Sequence, residues 1–145
     1  MYSLKLTDGD LAIRGDGNSV QLTGARRLEQ EISCWLLEPV GSDTLYSKFG
    51  STLWDKVGSP MLDEYIAEVR SEVVRVVNNY IEYQKNQVNA DMLKGESVFL
   101  SNWGDDDIIK RFDGVSVNVV ADTLEVTVQL TTAAGSKVTV ERTIY

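Results

Sequence analysis

Residues 115–144, VSVNVVADTLEVTVQLTTAAGSKVTVERTI, carry the strongest secondary-structure signal in the chain. Apolar and polar residues alternate along three runs, from Val115 to Val119, from Leu124 to Leu130 and from Val138 to Ile144. Because side chains of a strand point alternately to its two faces, this period predicts strands with one apolar face. TTAAGS at 131–136 supplies a turn. We therefore predict an antiparallel β-meander at this end of the chain.

Two amphipathic helices are predicted before the meander. The apolar face of the first is Leu28, Ile32, Trp35 and Leu36. Thr23 is its predicted N-cap, and Pro39 and Gly41 end it. The apolar face of the second is Leu62, Ile66, Val69, Val73, Val76 and Tyr80. Ser59 and Pro60 suit its N-cap and first helical position, with Asp63 and Glu64 in the first turn, and it is expected to end at about Gln84 or a little beyond.

The remaining segments give weaker signals. Residues 3–22 alternate in short runs around the turn cluster RGDGNS at 14–19, which predicts a small hairpin or meander. Within 87–113 we expect one short helix, Asp106–Phe112, because acids precede its basic residues and match the helix dipole. Strands, two helices and strands in this order predict a single α+β domain over 1–145, with the helices packed on an antiparallel sheet.

Composition excludes several classes of partner and location. The 145 residues carry a net charge of −8 and no basic stripe, so neither nucleic acid nor an anionic membrane is an expected ligand. No apolar window approaches the length of a membrane span, and the first ten residues lack the apolar run of a signal peptide. We expect a cytoplasm-like compartment, with the lone Cys34 as a small buried apolar residue.

Motifs for chemistry are weak throughout the chain. Consecutive acids such as Asp105, Asp106 and Asp107 rarely converge on a metal, and the acids in 8–18 lack the spacing of a calcium loop. No acid pair is singled out for glycoside hydrolysis, and there is no histidine to activate a nucleophile. We expect no catalytic residues, no metal and no cofactor, and interpret the chain as a non-enzyme.

The loop GSDTLYSKFGSTLWDKVG, residues 41–58, holds unusual aromatic bulk. Its large aromatic residues are Tyr46, Phe49 and Trp54. Its glycines, predicted to be turn or close-approach positions, are Gly41, Gly50 and Gly58. The aromatic side chains either complete the core or form part of a contact surface, since aromatic residues are enriched at interface centres. A sheet edge in the meander could likewise accept a partner strand.

The order of these motifs resembles a known family. A helix with L-x-Q-x-I at Leu28, Gln30 and Ile32 is followed by a glycine-bearing turn. The pattern Y-x-x-x-G-S-x-L follows at 46–53, and a long helix and terminal strands complete the order. The chain is similar to the small baseplate wedge protein of contractile phage tails, the sheath-initiator family. Some members of that family have been labelled tail lysozymes.

The resemblance implies a structural protein of the virion, located in the tail baseplate and assembled in the host cytoplasm. It would link the wedge and tail tube to the first sheath ring, with one copy per wedge and so several per baseplate. Its partners would be the sheath protein, other baseplate wedge subunits and the tail tube. Sheath strands would add to the strand module 114–145 through Val126, Val128, Leu130, Val138, Val140 and Ile144. The implied wedge contact is Tyr46, Phe49, Trp54, Glu82, Tyr83 and Gln84.

Two departures from the family pattern leave alternatives open. Glu82, Tyr83 and Gln84 stand near the place where the family carries a Glu-Pro-Arg triplet, and 87–113 has the character of an insertion. One alternative is a wedge or hub adaptor of a non-contractile tail, in which the last strands only complete the fold. Another is a tail-associated peptidoglycan hydrolase.

Overall fold

The fold is described from a computed structural model, which describes residues 3–8, 10–58, 60, 63–95, 103–121 and 123–144. Four two-residue strands come first, as β1 (Ser3–Leu4), β2 (Leu6–Thr7), β3 (Asp10–Leu11) and β4 (Gln21–Leu22). Helix α1 (Gly24–Leu37), a 3₁₀ turn (Leu53–Lys56) and helix α2 (Asp63–Leu93) follow. The chain ends with β5 (Ile109–Val120), β6 (Thr123–Thr132) and β7 (Lys137–Ile144).

The four short strands form two antiparallel pairs, β1 with β4 and β2 with β3. Further backbone bonds connect the pairs, from Lys5 N–H to the Val20 carbonyl at 2.7 Å and from Ala12 N–H to the Lys5 carbonyl at 2.9 Å. The Asp16 carboxylate accepts from Asn18 N–H within the predicted turn. The expected N-terminal hairpin or meander is therefore confirmed. Gln30 on α1 fastens it, because its amide accepts from Leu6 N–H and donates to the Leu4 carbonyl, both at 2.8 Å.

Helix α1 matches its predicted bounds and buries its whole predicted apolar face. Thr23 occupies the N-cap position, but its side chain makes no capping bond. The cap comes from the other end of the chain, since Gly24 N–H donates to a carboxylate oxygen of Asp107 at 2.6 Å. Extended backbone at Glu38 ends the helix directly before Pro39.

Helix α2 ends later than the sequence predicts. It is described from Asp63 onward, and the predicted cap Ser59 and the predicted apolar-face residue Leu62 lie outside the described residues. The helix continues nine residues past Gln84 to Leu93, because Lys85, Gln87 and Ala90 are good helix formers even without an apolar stripe. Gly95, at φ 71°, takes the left-handed conformation that commonly follows a helix end.

The short helix predicted for Asp106–Phe112 is wrong. Asp105–Asp107 form a turn, and β5 starts at Ile109. Register shifts between Ile109 and Arg111 and between Phe112 and Gly114 break the strict alternation that identifies strands in a sequence. The signal for β5 was therefore readable only from Val115 onward.

The terminal strands form one antiparallel sheet in the order β5-β6-β7, which confirms the predicted α+β class with two helices on a meander. Val117 pairs with Val126, and Val128 pairs with Val140, all on the inner face. This face and the apolar faces of α1 and α2 share one hydrophobic core. The opposite face of the sheet carries exposed polar residues, among them Glu125, Gln129, Thr139 and Glu141.

Candidate functional site

The six strand residues expected at a sheath contact all lie inside the core. Val126, Val128, Leu130, Val138, Val140 and Ile144 are buried on the inner face of the sheet. The first three belong to β6, which is hydrogen-bonded on both sides, so β6 has no free edge. This placement corrects the expectation that these side chains meet a partner, because an added strand would bind the backbone of β5 or β7.

The outer edges of β5 and β7 are the candidate docking lines. In the described part of the chain, neither edge is paired with a further strand. After its bulges, β5 pairs regularly with β6 from Val115 to Val120, and Val119 and Val120 keep exposed side chains. The pairing of β7 with β6 runs without a register shift from Lys137 to Ile144. Each edge therefore offers a regular extended backbone to a partner.

The aromatic loop divides between core and surface. Tyr46 and Phe49 pack against the core, with ring centroids 5.6 Å and 5.0 Å from that of Trp35. Trp54 is 53% exposed, and its indole N–H donates to the Leu37 carbonyl. The interpretation that all three aromatic residues complete the core is therefore wrong for Trp54.

The predicted glycine positions in this loop are confirmed. Gly41, Gly50 and Gly58 all have positive φ, at 87°, 93° and 83°. Positive φ is strained for residues that carry a Cβ atom, whereas glycine adopts it without strain.

Glu82, Tyr83 and Gln84, the remaining residues expected at a wedge contact, have three different environments. Glu82 is exposed and pairs with Lys48 at 2.9 Å. Tyr83 packs against Tyr46, with ring centroids 5.1 Å apart. Gln84 is only 2% exposed. Its amide donates to the Asp107 carbonyl at 2.6 Å and accepts from Ile109 N–H at 2.8 Å. The expected contact role of Gln84 is corrected, since its side chain fastens the start of β5 to α2 inside the protein.

A cavity of about 380 Å³ opens between α1, α2 and the aromatic loop. Its aromatic walls are Trp35, Tyr46, Phe49, Tyr80, Tyr83 and Trp103. The volume lies in the range of small ligand sites in proteins, about 300–1,000 Å³. Half-buried Cys34 also lines it, and burial, followed by the charges of Glu38 and Glu31, raises the pKa of this thiol. A protonated thiol is a poor nucleophile, so Cys34 gives the cavity no reactive group at neutral pH.

A buried ionic network closes one side of the cavity. Arg27, 3% exposed, donates from Nε to Glu31 at 2.8 Å, and its Nη1 lies 3.6 Å from Asp107. Its guanidinium stacks on Trp103, 4.1 Å from the ring centroid. The Tyr80 hydroxyl donates to Glu31 at 2.5 Å. Burial, and then the charge of Glu31, raise the pKa of Tyr80 well above its ordinary value, so the phenol stays a neutral donor.

Asp91, on the last turns of α2, is the unusual member of the cavity wall. It is 9% exposed, and within the described residues its Oδ2 atom has no hydrogen-bond partner. Sequence reasoning missed this residue because it lies beyond the apolar stripe of α2. Its spacing was a usable signal, since Tyr80, Gln84, Gln87 and Asp91 continue that stripe at steps of three or four with polar residues.

The described residues contain neither a candidate metal site nor a candidate membrane-spanning helix. Among them, no group of three or more acidic, histidine or cysteine side chains is placed to hold a metal ion. Within the same residues, no helix has both the length and the apolar character needed to cross a membrane.

In comparisons with known proteins, no protein-family model matches the chain, and no curated protein sequence matches it.

Proposed function

We propose that the chain is a structural baseplate protein of a contractile phage tail, which links the wedge and tube region to the first sheath ring. In this proposal a sheath strand adds to an outer edge of the β5-β6-β7 sheet. The observation that carries it is a sheet packed on two helices whose two outer edges, β7 and the part of β5 from Val115 onward, are regular and pair with no further strand among the described residues. The motif order shared with the sheath-initiator family supplies the identity of the partner.

Strand addition fits the physics of these edges. An exposed edge presents a row of unpaired N–H and C=O groups, which proteins normally cover, shorten or protect with charge. Here the stretch Val115–Val120 is long, rich in valine and without a charged residue. An incoming strand would gain main-chain hydrogen bonds there, and alternate side chains would set its register.

The surface left for a wedge contact is smaller than the sequence indicates. Of the expected residues, Trp54 and Glu82 have largely exposed side chains. Trp54 lies beside a groove of about 610 Å³ whose apolar lining includes Leu37 and Ile144. We therefore place the proposed wedge contact at Trp54 and the groove, with Glu82 forming a separate polar contact.

The test uses matched lysine substitutions on the sheet. Gln129 on β6 and Thr139 on β7 are direct cross-strand neighbours, and both are exposed. Thr139→Lys changes an edge strand and Gln129→Lys changes the centre, so only the former should obstruct an added strand. Asn118→Lys tests the β5 edge in the same way. We expect one edge variant to lower capture of a co-expressed sheath protein roughly tenfold or more, equivalent to losing one or two hydrogen bonds.

Capture at the wild-type level by both edge variants would overturn strand addition. Loss of capture by Gln129→Lys alone would also contradict strand addition, since Gln129 lies on the central strand β6, which is paired on both sides. A zymogram on cell-wall substrate tests the hydrolase alternative separately, and clearing by the purified chain would replace the structural proposal. Circular dichroism of each variant confirms that its fold is intact.

A further inference from the structure

The cavity between α1, α2 and the aromatic loop has the composition of a site for an organic cation. We propose that it binds one basic side chain, a guanidinium or ammonium group, of a partner protein. The role of a partner as the source rests on the proposed function, whereas the chemistry of recognition rests on the cavity alone.

Aromatic rings line the cavity in several orientations. Tyr83 lies with its ring centroid 5.6 Å from that of Trp35 and 5.1 Å from that of Tyr46, at steep angles to both. The cavity is therefore bounded by rings of several orientations and not by a single flat stack. A cation within about 6 Å of a ring face is attracted by its quadrupole, most strongly where water is excluded.

The charged side chains that line the cavity favour a cation as its occupant. Among the described residues, three carboxylates, Glu31, Asp43 and Asp91, line the cavity together with one cationic side chain, Arg27. Arg27 already contacts Glu31, Asp107 and the Trp103 ring. The excess of carboxylate over cation favours a positively charged occupant and disfavours an anion.

Asp91 identifies the anchoring group. A buried carboxylate oxygen without a hydrogen-bond donor is costly, and nearly all such groups in folded proteins have a partner. The Oδ2 atom of Asp91 lacks one within the described residues, although it belongs to a side chain that lines the cavity. The Oδ2 atom is itself buried, so a guanidinium or ammonium group in the cavity would donate to it after the Asp91 carboxylate turns toward the cavity, which neither an apolar ligand nor an anion could do.

The volume of the cavity and the groups that line it further restrict which ligands can bind there. At about 380 Å³ the cavity is at the lower end of the range for ligand sites, about 300–1,000 Å³, and has room for a single side chain. Among the described residues no acidic cluster is arranged to coordinate a metal ion. Cationic chemistry in this cavity is therefore organic, with hydrogen bonds to carboxylate and faces of aromatic rings.

The experiment uses the full chain and two small probes of nearly equal shape. N-acetyl-arginine amide carries the cation, and N-acetyl-citrulline amide replaces it with a neutral urea. Binding is followed by NMR shifts of the Trp35 indole N–H. We expect the arginine probe to bind in the millimolar range, as expected for a single side chain, and the citrulline probe to bind at least about tenfold more weakly.

Two pairs of variants make the test specific. Asp91→Asn should weaken binding of the arginine probe about tenfold or more, whereas Asp63→Asn at the exposed start of the same helix should leave it unchanged. Tyr83→Leu should weaken it about threefold, and Tyr83→Phe should restore it because the ring is kept. Replacement of a carboxylate that has one buried oxygen without a hydrogen-bond donor should keep or raise the thermal midpoint, whereas a merely structural role for Asp91 predicts a lower one.

Three results would overturn the proposal. They are equal binding of both probes, wild-type affinity in Asp91→Asn, and no binding of the arginine probe to the wild-type chain. None of these outcomes bears on strand addition, since the cavity and the sheet edges are tested with different probes and different residues. Normal capture of sheath with an empty cavity would thus contradict only the cation site.

Discussion

At the scale of single residues, Gly50 is the position with the least tolerance for a side chain. It has φ 93°, and a Cβ atom there would lie 2.5 Å from the Pro39 carbonyl oxygen and 2.7 Å from that of Glu38. Both neighbours are backbone and cannot rotate away. Gly41 has a similar φ of 87°, but nothing lies within 4 Å of its Cβ position.

This pair separates backbone strain from steric overlap. We predict that Gly41→Ala lowers the free energy of unfolding by about 1–2 kcal/mol, the cost of strained φ alone. Gly50→Ala should lower it by at least about 3 kcal/mol, because overlap with fixed backbone is added. Urea denaturation of both variants measures the difference. Equal losses would mean that the loop shifts to accommodate the methyl group.

The residue scale also shows where prediction from sequence succeeds. The four residues of the predicted α1 apolar face are buried, because a period of 3.6 is a local property of the sequence, whereas Cys34, also expected to be buried, is only half-buried. The buried polar residues Arg27, Gln84 and Asp107 were not foreseen. The capping bond from Gly24 to Asp107 joins residues 83 positions apart, and a single sequence carries no local signal for such a pair.

At the scale of elements, an acidic clamp fastens the aromatic loop to α2. Glu72 accepts from Arg75 at 2.8 Å and 2.6 Å and from Thr52 N–H at 2.8 Å. Arg75 also donates to the Gly50 carbonyl at 3.2 Å. The hydrogen bonds from Arg75, supported by the one from Thr52, hold the pKa of Glu72 below its ordinary value.

The clamp predicts an acid dependence of stability. Because the folded pKa of Glu72 is lowered, its contribution is fully present above the unfolded value of about 4.3 and is lost as pH falls through the folded value. Glu72→Gln should therefore be less stable than wild type at neutral pH, by about 1–2 kcal/mol for charged hydrogen bonds at a partly exposed site, and the two should converge in acid. Thermal melts across the acid range measure this.

An Arg75→Met background provides the control for the clamp. Without Arg75 the main cause of the lowered pKa is removed, so Glu72→Gln should change the acid dependence much less. A difference between wild type and Glu72→Gln that stays constant with pH would show that the carboxylate contributes through packing and not through its charge.

Elements were predicted well where their pattern is regular and poorly where it is interrupted. Strand β6 alternates without a break and β7 alternates except at Arg142, and the sequence predicts both strands almost to their ends. The first four residues of β5, Ile109–Phe112, are predicted as helix because two bulges disturb the alternation of the strand. The predicted meander already implies edges on its first and last strands, β5 and β7, but three of the expected contact residues, Val126, Val128 and Leu130, lie on the central strand β6.

At the scale of the whole molecule, the terminal sheet and the helices form one cooperative unit. Val117, Val126 and Val128 share a hydrophobic core with Leu28 and Tyr80. A buried aliphatic side chain contributes roughly 1.5–3 kcal/mol, and a domain has only about 5–15 kcal/mol in total. The strand module 114–145 is therefore a structural part of the domain and not an appendage.

We predict that deletion of 114–145 abolishes cooperative unfolding, as followed by circular dichroism during heating. Deletion of 1–22 serves as the control, because Leu4, Leu6, Leu11 and Ile13 remain exposed and contribute little to the core. It should leave a cooperative transition with a somewhat lower midpoint. A cooperative transition in the first truncated chain would show that the helices fold without the sheet.

The two ends of the aromatic loop are hydrogen-bonded to each other, at Glu38–Val40 and at Gly50–Ser51. This pairing determines how far the length of the loop can vary. Ser51 N–H donates to the Glu38 carbonyl at 2.7 Å and Val40 N–H to the Ser51 carbonyl at 3.1 Å, so both ends of the loop are held together. Leu45 at its tip is 95% exposed. Doubling the length of such a closed loop costs only about 0.6 kcal/mol. Homologous chains could therefore gain or lose residues beside Leu45 without altering the fold, and an epitope tag inserted there would be displayed away from the core.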